Sequence, residues 1–416
     1  MSGLFPLLRF KEFSESWTCR KLEDYLTPAA EKNIDNKYAK KDVLSVSGDY
    51  GIVNQISLQG RSLAGASVSN YGVVQTGDVV YTKSPLNANP YGIIKTNKGD
   101  VGIVSTLYAV YHPRETVYPD FIQTYFEQNS RLNNYMRPLV NKGAKNDMKV
   151  SAENALKGKV IFPDYYEQKL IADFLGRYDE FVNICYRKKL EKLIQVKNSM
   201  LDKLFPQNGA SLPEIRFDGF TGEWKFVKLK DLVERIERKN TENESDLPLT
   251  ISAQYGLVDQ NEYFNSRVAS QNVSNYYLIY NGEFAYNKSS SDGSPYGAVK
   301  RLDMYDKGVL STLYIVFEIK DSLSIDSDFL TVFFETDRWH REIAKRATEG
   351  ARNHGLLNIS ADDFLDMGMM IPDCIEEQKE IGKYIYSLQR LIGMYQIKLD
   401  QLQHIKSALL DKMFVS

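Results

Sequence analysis

Between residues 376 and 414 the apolar positions keep a regular spacing: Ile381, Ile385, Leu388, Ile392, Tyr395, Leu399, Leu402, Leu409 and Met413. The steps alternate between four and three residues, with only Lys406 interrupting the series, and the stretch holds no proline. This pattern predicts one long helix carrying a heptad seam, roughly 57 Å long at about 1.5 Å per residue. A seam of that length needs a partner helix. Residues 167–205 supply a second series: Ile171, Leu175, Tyr178, Val182, Cys185, Leu190, Leu193, Met200 and Leu204, with Lys197 standing where Lys406 stands. Its register slips by one residue around 185–190. Elsewhere the pattern is of short β-rich runs (VLSVS, GIVNQIS, VVYTK, YGIIK, GIVSTLYAVY) separated by Gly, Asn and Ser. One helix is expected at 120–136 and another at 328–347.

The chain is written twice. RFKEFSESWTCRKLED (9–24) returns as RFDGFTGEWKFVKLKD (216–231), and LSVSGDYGIVNQ (44–55) as LTISAQYGLVDQ (249–260). TGDVVYTKS, NPYGIIK, GIVSTLYAVY, GAKN and MLDKLF likewise return as NGEFAYNKS, SPYGAVK, GVLSTLYIVF, GARN and LLDKMF, always at an offset of 205–210. Order and spacing kept over seven blocks indicate a duplicated unit. The expected fold is an α/β (α+β) tandem repeat: a globular domain at 1–165, a long helix at 166–206, a second globular domain at 207–374, and a last long helix at 375–416. If the two helices pack as an antiparallel coiled coil, the molecule is pseudo-two-fold symmetric and presents two similar surfaces at a fixed separation. Dimeric DNA readers place their half-sites about 34–36 Å apart, a spacing that a coil of this length can set.

Composition narrows this only a little. The 416 residues carry a net charge of −2, so a strongly basic whole-chain signature of nucleic-acid binding is absent and any such contact has to be local. Three widely spaced cysteines, Cys19, Cys185 and Cys374, fit neither a disulfide framework nor a zinc site and suit a reducing cytoplasm. The start of the chain does not read as a signal peptide, and no apolar run is long enough to span a membrane.

Two motifs invite a catalytic reading. PDYYEQK (163–169) and PDCIEEQK (372–379) share residue types with metal-dependent nucleases, but their Asp and Glu stand too close together, and Asp164…Glu167 and Asp373…Glu376 suit the capped start of a helix. NPYG (89–92) looks like an amino-methyltransferase motif, yet its copy reads SPYG (294–297), and a tight turn displaying Tyr91 and Tyr296 is the simpler reading. There is no P-loop, no HExxH and no cofactor loop. No catalytic residue, metal ligand or cofactor-binding residue is assigned.

Binding chemistry is better represented. Segments 131–149 and 338–354 are locally basic in both copies and interleaved with Asn and aromatic residues. They nominate Lys142, Lys145, Arg346 and Arg352 as phosphate anchors, with Lys149 beside them. The loops KSPLNANPY (83–91) and KSSSDGSPY (288–296) each open on a lysine after a strand and differ most between the copies. Asn87, Asn89, Asn146, Ser290 and Asn353 are the candidate base readers, and Lys83, Lys288, Tyr91 and Tyr296 complete the candidate DNA-binding set.

The order of domains and helices, the P-D-x-x-E-Q and P-D-x-x-E-E-Q starts and the G-A-[KR]-N block resemble the specificity subunit of type I restriction–modification enzymes over essentially the whole chain. The resemblance implies two target recognition domains, each reading one half of a bipartite, asymmetric site on double-stranded DNA. It implies helices that space these domains and dock two modification (methyltransferase) subunits, which two restriction (translocase and nuclease) subunits join. S-adenosylmethionine, ATP and Mg would then belong to those partners, and this chain would be non-catalytic. Two rival readings stay open: a methyltransferase or nuclease in its own right, and a coiled-coil scaffold that does not bind DNA.

Overall fold

The computed structural model describes residues 4–84, 89–142, 148–207, 209–252, 255–266, 268–290, 294–322, 324–346, 355 and 357–415. It is a mixed α/β structure that divides into two compact units, residues 1–188 with 397–416, and residues 189–396.

In the first unit a four-stranded antiparallel sheet runs in the order Leu26–Pro28, Tyr108–Pro113, Val79–Thr82, Ile94–Thr96. The middle strands are continuous β-branched and aromatic runs buried on both faces, as expected of strands with helices on one side and a further layer on the other. That layer holds the hairpin Leu44–Ser47/Gly51–Asn54 and the pair Gly72–Val74/Gly102–Val104. Thr18–Lys21 pairs with Lys159–Phe162 and ties the start of the unit to its end. The second unit has the same sheet order with Val233–Ile236, Ile315–Ile319, Phe284–Asn287 and Ala298–Arg301. Its hairpin is Leu249–Ser252/Gly256–Asp259, and Lys225–Lys228 pairs with Gly368–Ile371.

The helix expected at 120–136 is two helices, Pro119–Tyr125 and Asn129–Met136. That expected at 328–347 is likewise Ser327–Phe333 and His340–Arg346. The second break is stabilised locally: Trp339 donates its indole N–H to the Phe334 carbonyl at 3.2 Å, and Thr336 donates its hydroxyl to the Phe333 carbonyl at 2.6 Å. Each break holds a carboxylate, Glu127 or Glu335, that is used below.

The last helix runs unbroken over Ile375–Lys412. The other is α-helical over Tyr165–Val182 and Lys188–Lys203, with a π turn at Asn183–Arg187 between them. This turn accounts for the slipped register. Glu167 and Phe205 stand one residue further apart than their counterparts Glu377 and Phe414. A π turn absorbs one additional residue, so the apolar face recovers its phase at the buried Leu190. Seam residues Ile171, Leu175, Val182, Ile381, Ile385, Leu399 and Leu402 are buried.

Each globular core is completed by the end of one long helix. In the first unit Leu410, Met413 and Phe414 join Trp17, Phe121, Tyr125 and Phe162, and Phe414 packs 5.6 Å from both Phe121 and Tyr125. In the second, Leu201, Leu204 and Phe205 join Trp224 and Phe329. The backbone repeats the arrangement: Leu8 N–H donates to the Lys412 carbonyl at 2.8 Å, and Ile215 N–H to the Lys203 carbonyl at 3.0 Å.

The P-D-x-x-E-Q starts have a structural use. Asp164 caps its helix by accepting the Glu167 N–H at 3.0 Å. Glu167 itself is buried and takes a two-point ion pair from Arg9 at 2.8 Å. Glu377 takes the same pair from Arg216 at 2.7 Å. The capped start expected of Asp373…Glu376 differs: Asp373 pairs with Lys225 instead, because the second copy carries one more residue between Asp and the buried Glu. Gln168 and Gln378 each accept a backbone N–H, from Tyr118 and Asp326, and donate to the carbonyls of Pro163 and Pro372. These side chains anchor each long helix to its own domain.

Lys406 and Lys197, which interrupt the seams, find carboxylates. Lys406 reaches Glu127 at 2.6 Å and Asp179 at 2.7 Å. Lys197 reaches Glu335 at 2.9 Å, and Glu335 also takes Lys300 and Gln389. Burial works against charge on Lys406, yet Glu127 and Asp179 hold its ammonium above the ordinary lysine range.

Candidate nucleic-acid interface

In each unit strand direction collects three loops at one edge of the domain. In the first, Thr82 pairs with Tyr108, so the loop after Thr82 and the turn before Tyr108 are neighbours, and Lys83 N–H donates to the Leu107 carbonyl at 3.0 Å. Val43 bridges Ile103 in parallel, so the hairpin tip at 48–50 and the turn at 105–107 leave the domain at the same edge. In the second unit Tyr286 pairs with Ile315 and Pro248 bridges Val309 in parallel. The loop from Lys288, the turn at 311–313 and the hairpin end at Tyr255 therefore share one edge.

The N-P-Y-G and S-P-Y-G turns are fixed from within. Gly92 N–H donates to the Asn89 carbonyl at 2.9 Å and Gly297 N–H to the Ser294 carbonyl at 3.1 Å. Asn or Ser first, Pro second and Gly fourth is the residue preference of a type I turn. Buried Tyr81 and Tyr286 donate their hydroxyls to the carbonyls of Tyr91 and Tyr296 at 2.9 and 2.8 Å. Gly92 and Gly297 have φ of +82° and +79°, and a Cβ there would lie 2.0 Å from a backbone oxygen of the preceding strand. Only glycine fits.

The candidate residues fall into distinct situations. Tyr91 and Tyr296 are half-buried and packed on the two cores, Tyr296 with His340 at 5.2 Å, rather than displayed as the sequence suggested. Burial lowers the His340 imidazole below its ordinary range. Asn89 is half-buried and its amide oxygen takes no hydrogen bond among the described residues. Lys83 is half-exposed beside Leu107. Lys142 and Lys149 belong to a two-stranded pair, Asn141–Lys142 with Met148–Lys149. Asn87, Lys145, Asn146, Arg352 and Asn353 lie outside the described residues.

In the second unit the two predicted regions meet. Ser290 N–H donates to the Gly355 carbonyl at 2.5 Å, Leu357 N–H to the Lys288 carbonyl at 3.0 Å, and Lys288 Nζ to the Ile359 carbonyl at 3.4 Å. The start of the variable loop, at Lys288 and Ser290, therefore lies beside Gly355, Leu357 and Ile359, which follow the G-A-R-N block, with Ser290 exposed.

Several basic residues are already engaged. Arg346 donates to Glu342 at 2.7 Å and to the Asp366 carbonyl at 3.1 Å, so two carboxylates neutralise it, and the anchor role expected of it requires that pairing to open. Burial raises Glu342, but bonds from Lys345 and Arg346 outweigh it and hold the carboxyl below its usual range. Arg131 is a core residue: it donates to the carbonyls of Tyr125 and Leu410 and lies 4.7 Å from the Phe414 ring. Arg338 donates in the same way to the Asp202 carbonyl at 2.8 Å and carboxylate at 2.6 Å. Both arginines cap the last turn of a long helix, where exposed carbonyls favour a cation. Arg341 and Lys345 line a cleft of about 610 Å³ together with Phe226, Phe333 and Met370.

The edge also carries residues not nominated from the sequence: Tyr50 and Leu107 in one unit, Tyr255 and Leu313 in the other, all well exposed. Their blocks were visible in the repeat, but the pattern of a strand end does not show which residue projects.

Residues 221–404 match the family model of the type I restriction modification DNA specificity domain. No curated protein matches the chain. Among solved structures, the chain is similar to the S subunit of a type I restriction–modification system from M. genitalium, with TM-score 0.58 and 14% identity over 99% of each chain. It is also similar to a chain from a structure of the assembly and conformational transition of a type I restriction–modification system, with TM-score 0.51 and 14% identity over 97% of this chain and 99% of that one. Likeness at 14% identity speaks to the fold. The matched segment, residues 221–404, covers the second copy of a framework that occurs in both units, and this segment is similar to the type I restriction modification DNA specificity domain.

Proposed function

We propose that the chain reads a bipartite, asymmetric site on double-stranded DNA, with one globular unit on each half-site and the two long helices setting the interval between them. The single observation that carries this reading is the pairing of a repeated framework with unlike loops at the same edge: KSPLNANPY in one unit and KSSSDGSPY in the other. A shared framework supplies a common way of meeting DNA, and unlike loops supply different half-sites.

An antiparallel pairing of the helices is supported by contacts inside each unit. Tyr178 donates its hydroxyl to the Leu402 carbonyl at 2.7 Å in the first, and Lys197 and Gln389 meet on Glu335 in the second. These contacts support helices that run in opposite directions. Exposed Phe181 and Ile184, and their counterparts Leu391 and Met394, offer apolar surface for two modification subunits, to which two restriction subunits add. In this reading the chain is a non-catalytic cytoplasmic subunit. S-adenosylmethionine, ATP and Mg are used by its partners, and the assembled complex is the adenine methyltransferase and endonuclease. No helix among the described residues is long and apolar enough to cross a membrane.

Methylome sequencing of cells with and without the chain tests this. A bipartite adenine-methylated motif should disappear with the chain, and replacing 83–91 should alter one half of it only. Methyl transfer by the purified chain alone, or a motif indifferent to the loop, would overturn the reading.

A further inference from the structure

The edge that carries the unlike loops also carries two tips that are alike. Tyr50 and Tyr255 occupy the same place in the hairpin and are 68% and 62% exposed. Leu107 and Leu313 occupy the same place in an S-T-L-Y turn and are 61% and 57% exposed. Among the described residues both tips make the same bonds in the two units. Tyr50 and Tyr255 donate their backbone N–H groups to Ser47 and Ser252 Oγ at 3.3 Å, and the following Gly51 and Gly256 have φ of +71° and +81°. Leu107 and Leu313 donate theirs to Ser105 and Ser311 Oγ at 3.4 Å, and the next tyrosine closes the turn onto the serine carbonyl at 3.0 and 3.2 Å. An exposed leucine held on a two-bond turn gains nothing from burial in the folded chain. Two other exposed apolar residues of the first unit have polar counterparts: Ile34 has Thr241 and Ile56 has Asn261.

We infer that Leu107 with Tyr50, and Leu313 with Tyr255, form a sequence-independent contact with the DNA duplex that is the same at both half-sites. The inference rests on the reading that the two units meet two different half-sites. Residues identical in both units cannot distinguish two sequences; they serve what the half-sites have in common. A leucine has neither donor nor acceptor, so it meets DNA through shape, against sugars or as an apolar wedge at a base step. A tyrosine adds a flat ring that stacks on any base and a hydroxyl for phosphate. In the first unit the Lys83 backbone is bonded to Leu107, so a half-exposed lysine follows the strand next to the apolar tip, and a cation suits a phosphate-lined groove. The neighbouring loops are left to read bases.

The test uses the full chain assembled with its modification subunits, and two duplexes: one carrying the methylated motif and one with both half-sites scrambled. Leu107→Ala and Leu313→Ala should each weaken binding to both duplexes by the same factor, about tenfold. The ratio of the two affinities and the methylated motif should stay as in the parent. Leu107→Met, which keeps an apolar tip, should bind nearly as the parent does. Unchanged affinity in the double alanine variant would overturn the inference. Loss confined to the cognate duplex would also overturn it, by making the leucines base readers. Failure of the parent complex to discriminate the two duplexes would instead refute the DNA-reading role on which the inference rests.

Discussion

Replacing Lys406 by methionine removes one charge and leaves the apolar stem of the side chain in place. Glu127 and Asp179, each within 2.7 Å of the ammonium, would then face one another, with Lys95 the nearby cation that remains. Burial opposes charge on Lys95 and lowers it below the ordinary lysine range. Lys406 is 17% exposed, Glu127 27% and Asp179 47%. The site therefore lies between an exposed pair, worth about 0–1 kcal/mol, and a buried pair, where losing one partner costs about 3–5 kcal/mol. A loss of about 2–3 kcal/mol is expected. The second unit supplies a control, because Gln389 stands where Asp179 stands and donates to Glu335 at 2.7 Å. Asp179→Gln should therefore cost less than about 1 kcal/mol. Hydrogen exchange read by mass spectrometry on 397–412 is the assay, since a two-unit chain does not give a single unfolding free energy. Exchange limited by local opening should speed up roughly 30- to 150-fold in Lys406→Met, while 189–203 keeps its protection. Equal protection in Lys406→Met and the parent would refute the reasoning, as would an Asp179→Gln variant that opens as readily as Lys406→Met.

His112 bridges Asp78 at 2.7 Å and Glu31 at 2.9 Å, whereas the corresponding place in the second unit holds the Arg238–Glu283 pair. Burial opposes charge on His112, but the bonds to Glu31 and Asp78 prevail and raise its folded value above about 6.5. Its stabilisation is therefore full below about pH 6.5 and is lost as pH rises through the raised value. Exchange protection at 108–113, corrected for intrinsic rates, should fall over that window, and His112→Gln should abolish the slope. A slope that survives in the variant would assign it to another group. Gly92→Ala and Gly297→Ala should each cost about 2 kcal/mol or more, from left-handed strain plus a clash with the preceding strand. Gly77→Ala, at φ +90° with nothing within 4 Å, carries only the strain. A Gly92 variant no less stable in urea than the Gly77 variant would show that the turn shifts to make room.

Much of the repeat was legible because duplicated blocks preserve the residues that packing cannot exchange. The P-Y-G turns keep glycine because a Cβ would strike the strand, and the Arg9 and Arg216 blocks keep arginine because Glu167 and Glu377 are buried. The candidate site was less legible. Lys, Arg and Asn mark a basic segment without saying which charges are spent internally. Arg131 and Arg338 hold helix ends, and Arg346 holds Glu342, although all three looked as available as Lys83.

By itself the sequence determined the duplication, the two long helices with their interrupting lysines, and the one-residue slip between them. These follow from periodicity and spacing, which are properties of the chain alone. Only the tertiary structure decided that the slip is a π turn, that Lys197 and Lys406 end on Glu335 and Glu127, and that three loops distant in sequence share one edge. It also decided that Leu107 and Leu313 project from that edge. Strand pairing brings together residues that no local pattern connects, and exposure belongs to the packed fold rather than to the residue.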